Sequence, residues 1–340
     1  MNDVRNDRHA EIFPATPARR GRRPVGGAVL AAAALAVALG LPAGAQAKVR
    51  HHRHAVRHAV ATVDGPLALR SRAALVVDTT AGTVLYQRAE DSVRPIASIT
   101  KLMTALVVLE AGQPLDEELT IGEEEADATR RSVSRLTVGT RLTRAELLNL
   151  ALMASENRAA YALARHYPGG LAACMKAMHA KASALGMTQT RFVEPTGLSS
   201  DNVSTSADLT KLVRAAAAQP LIKEYSTAPS LVVRVRGRPT EFRNTDRLVH
   251  DPTWDLVVQK TGYIEEAGRC LVLQTVVAGR EFVIVLLDSV GQATRFADAR
   301  RIRRWLEHQA ATHAVPVHAV TTAPAHGLTA THGVVAGSLN

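Results

Sequence analysis

Strand-forming sequence sits at both ends of the foldable part of this chain, and helix-forming sequence fills the middle. Residues 73–78 (Ala-Ala-Leu-Val-Val-Asp) and 83–86 (Thr-Val-Leu-Tyr) flank the turn sequence Thr79-Thr80-Ala81-Gly82 and predict a hairpin. Towards the other end, residues 231–235, 255–260, 270–277 and 282–288 also read as strands, and Ala278-Gly279-Arg280 makes the last two antiparallel neighbours. Between them, an apolar helix runs from Ser98 to about Glu110, stopped by Gly112 and Pro114. Thr143 and Glu146 form a capping box ahead of a buried helix over 147–153. Residues 157–166, 171–185 and 207–218 are further helices, the last capped by Thr205 or Ser206. The charged stretch 123–134 reads as an exposed loop, and 136–140 as a short strand or turn. A final amphipathic helix over 295–308 puts Ile302, Trp305 and Leu306 on one face. Elements in this order predict an α+β fold, one antiparallel sheet with flanking helices and a helical subdomain.

Within that frame, Ser98 and Lys101 lie three residues apart at a helix start, so their side chains share a face. A desolvated lysine loses proton affinity and can act as a base towards a neighbouring hydroxyl. The helix N-terminus aims free N–H groups at an anion forming beside Ser98. Alone, Ser-x-x-Lys is a spacing that chance supplies. Two Ser-x-Asn candidates follow, Ser155-Glu156-Asn157 and Ser200-Asp201-Asn202, and then one Lys260-Thr261-Gly262 at the end of a strand. Ser200-Asp201-Asn202 lies in a polar loop before a helix cap, where such residues are expected. Ser155 interrupts two apolar helices, where a polar triplet needs a reason, so Ser155 and Asn157 are the preferred pair.

Ser-x-x-Lys, Ser-x-Asn and Lys-Thr-Gly in that order are the signature of penicillin-binding proteins and serine β-lactamases. The chain resembles the low-molecular-mass penicillin-binding proteins, serine D-alanyl-D-alanine carboxypeptidases and endopeptidases, over about residues 67–308. The resemblance rests on Pro-Ile-Ala-Ser-Ile-Thr-Lys-Leu-Met-Thr-Ala (95–105), Ser-Glu-Asn-Arg-Ala-Ala (155–160), Arg-Phe-Val-Glu-Pro-Thr-Gly-Leu (191–198), Lys-Thr-Gly-Tyr (260–263) and Glu-Ala-Gly-Arg-Cys-Leu-Val (266–272). Ser-Glu-Asn-Arg and Gly-Arg-Cys look most like the endopeptidase branch, which cuts D-Ala-diaminopimelate cross-links. Glu265 departs from that branch, which usually has a small or amide side chain there.

The resemblance implies the penicillin-binding/β-lactamase-like transpeptidase fold and an acyl-enzyme on Ser98, with Lys101 as base. It gives Ser155 the proton for the leaving amine and has Asn157 hold Lys101. Lys260 supplies positive potential, Thr261 binds the substrate carboxylate, and the strand edge through Gly262 pairs with the peptide. The backbone N–H groups of Ser98 and Tyr263 form the oxyanion hole. Arg295 matches a position that can bind a terminal carboxylate, against a solvated helix-start arginine. The implied substrates are peptidoglycan stem peptides, with β-lactams as acylating inhibitors and no cofactor, metal or nucleic acid. A serine β-lactamase shares the motifs but needs a deacylating glutamate, for which Glu194 is the one tempting candidate. A non-catalytic cell-wall-binding protein is the other alternative.

Residues 1–47 read as a signal peptide: a basic start, an apolar run over 25–41 and Ala45-Gln46-Ala47 as a cleavage signal. Export to the periplasm follows, with at most peripheral membrane contact. A His/Arg-rich flexible spacer (48–66), a catalytic domain (67–310) and a disordered Ala/Thr/His/Pro/Gly-rich tail (311–340) complete the expected organisation. The formal charge of +10 suits anionic partners such as a carboxylate-rich wall. The Arg300-Arg301-Ile302-Arg303-Arg304 run reads as the solvated face of a helix, not a nucleic-acid patch. Cys174 and Cys270 sit in apolar elements and are expected as buried thiols.

Overall fold

The structure, a computed structural model, describes residues 67–129 and 132–313. The expected leader and spacer lie outside these residues, as does the expected tail beyond 313. Residues 311–313, expected to begin that tail, are the last turn of a helix.

In chain order the elements are β1 (Ser71–Asp78), β2 (Thr83–Arg88), β3 (Arg94–Pro95), α1 (Thr100–Glu110), β4 (Glu118–Thr120), α2 (Glu123–Ala128), β5 (Arg141–Thr143) and α3 (Arg144–Met153). They continue with α4 (Asn157–Arg165), α5 (Gly170–Ala184), β6 (Val203–Ser204), α6 (Ser206–Ala217), α7 (Pro220–Thr227), β7 (Ser230–Val235) and β8 (Arg238–Arg243). The last are β9 (Asp255–Ile264), β10 (Gly268–Val277), β11 (Arg280–Ser289) and α8 (Thr294–His313).

Five strands form one antiparallel sheet in the order β2-β1-β11-β10-β9. The first hairpin thus docks on the last, with Leu75 opposite Val285. The β10–β11 turn has φ of +49° at Ala278 and +76° at Gly279, the left-handed pair that matches strand twist in a two-residue hairpin. The strands are continuously apolar because both faces are covered. Ala73, Leu75, Val77, Val272, Val283 and Val285 join the cluster built with α1, α3, α4 and α6. Ala74, Val76, Leu271, Leu273, Ile284 and Leu286 face Phe296, Ala299, Ile302 and Leu306 of α8, with Trp305 packed beside them.

Three local expectations change. Residues 123–128 form α2, not a loop, because Glu125 turns inward: its carboxylate accepts the Gly122 N–H at 2.6 Å and pairs with Arg165 at 2.5 Å. Acids in a first helical turn satisfy free N–H groups, so this charge run marks a helix start. Of the two readings for residues 136–140, strand or turn, the turn forms, and the nearby strand is β5, paired with β4. The run at 231–235 belongs to β7, which pairs only with β8 in a separate two-stranded arm. α7 was not anticipated, although Pro220 at its first turn is a start signal.

Asp298 of α8 locks the two ends of the fold together. Its buried carboxylate accepts the N–H groups of Arg70 (2.9 Å) and Ser71 (2.8 Å), the Ser71 hydroxyl (2.8 Å) and the Arg301 guanidinium (2.8 Å). Asp298→Ala strands these donors and is expected to lower the unfolding free energy by about 3 kcal/mol. A fall in the urea midpoint at unchanged slope checks this.

Candidate active site

Ser98 sits in a 3₁₀ turn, Ala97–Ile99, that leads directly into α1. The nucleophile candidate therefore precedes the α-helix instead of opening it. Ala97 before it has φ of +48°, a conformation costly for a residue with a Cβ. The turn is held by close backbone approaches on two sides. A Cβ on Gly197, whose φ is +83°, would lie 2.0 Å from the Ala97 carbonyl oxygen. A Cβ on Gly262 would lie 3.0 Å from the Ile96 carbonyl oxygen. Gly197 is required by both space and φ, whereas a Cβ at Gly262 would force its neighbours to give by a few tenths of an ångström.

Lys101, on the second residue of α1, is fully buried. Its Nζ lies 3.0 Å from Ser98 Oγ, 2.6 Å from Asn157 Oδ1 and 2.6 Å from the Thr196 carbonyl oxygen. Burial lowers its pKa from 10.5 to about 8, and the negative charges of Glu194 and Glu156 oppose that shift. With two of its N–H bonds aimed at carbonyl oxygens, a neutral Lys101 directs its lone pair at the Ser98 hydroxyl.

Asn157 begins α4, and Ser155 fills the junction after α3. Ser155 has φ of +58°, and the Glu156 N–H closes the turn on Leu150 O at 3.1 Å. The half-buried Ser155 hydroxyl makes no hydrogen bond among the described residues. Glu156 is buried, accepts from Ser134 Oγ at 2.5 Å, and has its pKa raised by that burial.

Lys260, Thr261, Gly262 and Tyr263 lie within β9, which runs on to Ile264, and not at its end as the sequence suggested. β9 is the outer strand of the sheet, so one backbone edge lacks a strand partner. Lys260 is fully buried, and its Nζ donates to Thr261 O at 3.1 Å. Burial pushes its pKa well down, and repulsion from Lys101 and Arg295 adds to this. The Thr261 hydroxyl bonds to Thr245 Oγ1 at 2.6 Å. Tyr263 is exposed. Arg295 is 7% exposed, not a solvated helix-start residue, and its Nε and Nη1 are buried without partners among the described residues. Direct hydrogen bonds therefore unite Ser98, Lys101 and Asn157. Ser155, Lys260, Thr261 and Arg295 form no hydrogen bond to that trio among the described residues.

Two residues, Glu194 and Asn202, play parts that their local sequence does not reveal. Glu194 accepts the N–H groups of Thr196 (2.7 Å) and Gly197 (2.6 Å), which shapes the loop that offers Thr196 O to Lys101. Asn202, set aside as a turn residue, is fully buried; its Nδ2 donates to Glu194 O (2.9 Å) and Thr100 Oγ1 (3.1 Å). The Asn202 backbone carbonyl also accepts the Ile96 N–H at 3.0 Å. It ties the Glu194 loop to both flanks of the nucleophile turn. Only the Glu-Pro-Thr-Gly string hinted at this loop. Cys174 and Cys270 are buried free thiols whose pKa values burial raises to about 12 and about 11.

A model of the D-alanyl-D-alanine carboxypeptidase family matches residues 59–291. The D-alanyl-D-alanine endopeptidase of Pseudomonas aeruginosa is 52% identical over 241 residues, covering 70% of this chain and 78% of that protein. The D-alanyl-D-alanine endopeptidase of Escherichia coli is 45% identical over 276 residues, covering 80% and 86%. Among solved structures, the Streptomyces K15 DD-transpeptidase superposes with a TM-score of 0.67 at 28% identity, over 72% of this chain and 98% of that one.

Gly197→Ala places a methyl group inside the nucleophile turn. Displacement of a reacting group by about 1 Å costs on the order of a hundredfold in rate. The substitution is expected to slow acylation by a penicillin at least that much, measured by stopped-flow, with a lowered melting temperature.

Proposed function

The chain belongs to the D-alanyl-D-alanine carboxypeptidase family, and we propose that it is a serine DD-peptidase of the endopeptidase branch that opens D-alanyl cross-links of peptidoglycan in the periplasm. The observation that carries this reading is the buried Lys101 Nζ, held by Asn157 and Thr196 O and facing Ser98 Oγ at 3.0 Å.

Ser98 Oγ attacks the D-Ala carbonyl carbon while its proton moves to Lys101 Nζ. The oxyanion meets the N–H groups of Ser98 and Tyr263. The C–N bond breaks as the leaving amine takes the proton from Lys101 through the Ser155 hydroxyl. Water then attacks the ester carbon and its proton moves to Lys101, which passes it to Ser98 Oγ as the acyl C–O bond breaks, restoring the free hydroxyl and the neutral amine. Of the two lysines in this dry pocket, Lys260 sheds its proton the more readily, because burial and the Lys101 charge both push its pKa down. The free edge of β9 receives the stem peptide as an added strand, and Thr261 meets its carboxylate. A β-lactam enters the same site and acylates Ser98.

Kinship to proteins named endopeptidase, at 52% and 45% identity, supports cross-link cleavage over simple D-Ala removal. The β-lactamase alternative lacks a base. Both Glu194 oxygens are spent on backbone N–H groups of its own loop, so this carboxylate has little capacity left to activate water. The periplasmic setting rests on the leader expected over 1–47. No helix among the described residues is long and apolar enough to cross a membrane.

Fluorescent penicillin is expected to label the wild type, with labelling abolished by Ser98→Ala and slowed by about a thousandfold in Lys101→Ala. Absence of wild-type labelling would sink the proposal. Digestion of purified cross-linked muropeptides should convert dimers to monomers; loss of terminal D-Ala alone would reassign the enzyme to carboxypeptidase action. With the base titrating at about 8, the neutral fraction is about a tenth at pH 7 and nearly complete at pH 10. The acylation rate is therefore expected to rise about tenfold over that interval, and a flat profile would contradict Lys101 as base.

A further inference from the structure

We propose that Arg269, seated on the ring of Tyr263 two residues along β9 from Thr261, forms a second anion subsite on the leaving-group side of Ser98. It selects leaving fragments that carry a carboxylate beyond the one next to the scissile amide. This rests on the DD-peptidase reading above and refines it.

Arg269 of β10 lies directly opposite Tyr263 of β9 in the sheet register. Its guanidinium carbon sits 4.2 Å from the Tyr263 ring centroid. Tyr263 is two residues beyond Thr261, so both side chains point to one face, about 7 Å apart along the strand. A carboxylate bound by Thr261 therefore places the rest of a long leaving fragment within reach of Arg269.

The cations gathered here outnumber their counter-ions. Arg247, Arg269 and Arg295 form no ion pair among the described residues. Their charges act on one another: Arg269 and Arg247 add to the burial that lowers the Arg295 pKa to about 10. Asp246, whose charge acts on Arg295, is fully buried and has one oxygen bonded to the Leu248 N–H at 2.8 Å, and Asp288, close to Gly268, is paired with Arg94 and Arg72. Burial raises the Asp246 pKa to about 6. Glu265 and Glu266, at the exposed β9–β10 turn, pair with none of the three arginines. A guanidinium laid flat on an aromatic ring keeps its N–H edge free for a carboxylate, in a pre-set orientation.

The chemistry separates two substrate classes. A terminal D-Ala has one carboxylate, which Thr261 and Arg295 meet. The acceptor stem of a cross-link presents that carboxylate and at least one more, at its own C-terminus. Arg269 is thus a specificity residue for cross-links.

The test compares kcat/KM on a purified cross-linked muropeptide dimer with kcat/KM on a monomer ending in D-Ala-D-Ala. The dimer-to-monomer ratio is expected to fall about tenfold in Arg269→Gln. It should fall by a similar factor for the unaltered enzyme when the acceptor's C-terminal carboxylate alone is amidated, the one beside the scissile amide being left free, a readout that needs no substitution. A ratio unchanged in Arg269→Gln, or unchanged on amidation, would overturn the subsite. Failure of the wild type to be acylated by penicillin would instead overturn the underlying peptidase reading.

Discussion

Burying a lysine ammonium costs several kcal/mol unless the group is neutralised or paired. Lys101 has no carboxylate bonded to it; its neighbours are a hydroxyl and two carbonyl-type oxygens. The group answers that environment by losing proton affinity, down to about 8. Everything unusual nearby can be traced to the need to keep this nitrogen dry and oriented. The strained Ala97 and Ser155, the two glycines that let backbones touch, and the buried Asn202 all serve the packing around it.

That packing is non-local. Thr196 reaches Lys101 only because Glu194 bends its own loop, and Asn202 pins that loop to Thr100 and Ile96. On the other side, Gly262 of β9 comes against the same turn. β9 in turn is placed by β10 and β11, which lie against β1. A sheet that joins the two ends of the sequence thus carries the strand edge to a nucleophile about 160 residues earlier. α8 fastens this closure through Asp298, with the Ser71 hydroxyl bonded to both Asp298 and Ser289.

The sequence carried the sheet and the order of the three motifs because both are written in local signals. Turn residues between apolar runs mark the hairpins, and a polar triplet between apolar helices marks Ser155. The Ser-x-x-Lys spacing needs only helical geometry. What stayed hidden depends on contacts between distant segments. Asn202 looked like a loop residue because its partners, Thr100 and Glu194, lie on other segments that fold back on it. The Glu123-Glu124-Glu125 run looked solvated because Arg165, about 40 residues later, receives Glu125. β7 looked like a member of the main sheet because strand propensity does not name a strand's partner. Arg295 could be read either as a ligand group or as a solvated helix start, and at 7% exposure it is not solvated.

The proposed chemistry needs Lys101 to supply a neutral fraction at working pH, without a carboxylate to hold its proton. Selective ¹⁵N labelling of lysine, with Lys101→Arg to assign the resonance, allows its Nζ to be titrated directly in the unacylated enzyme. The buried, carbonyl-bound geometry predicts a midpoint near 8, shifted when penicillin occupies Ser98. A Lys101 that titrates with the exposed lysines near 10.5 would contradict it.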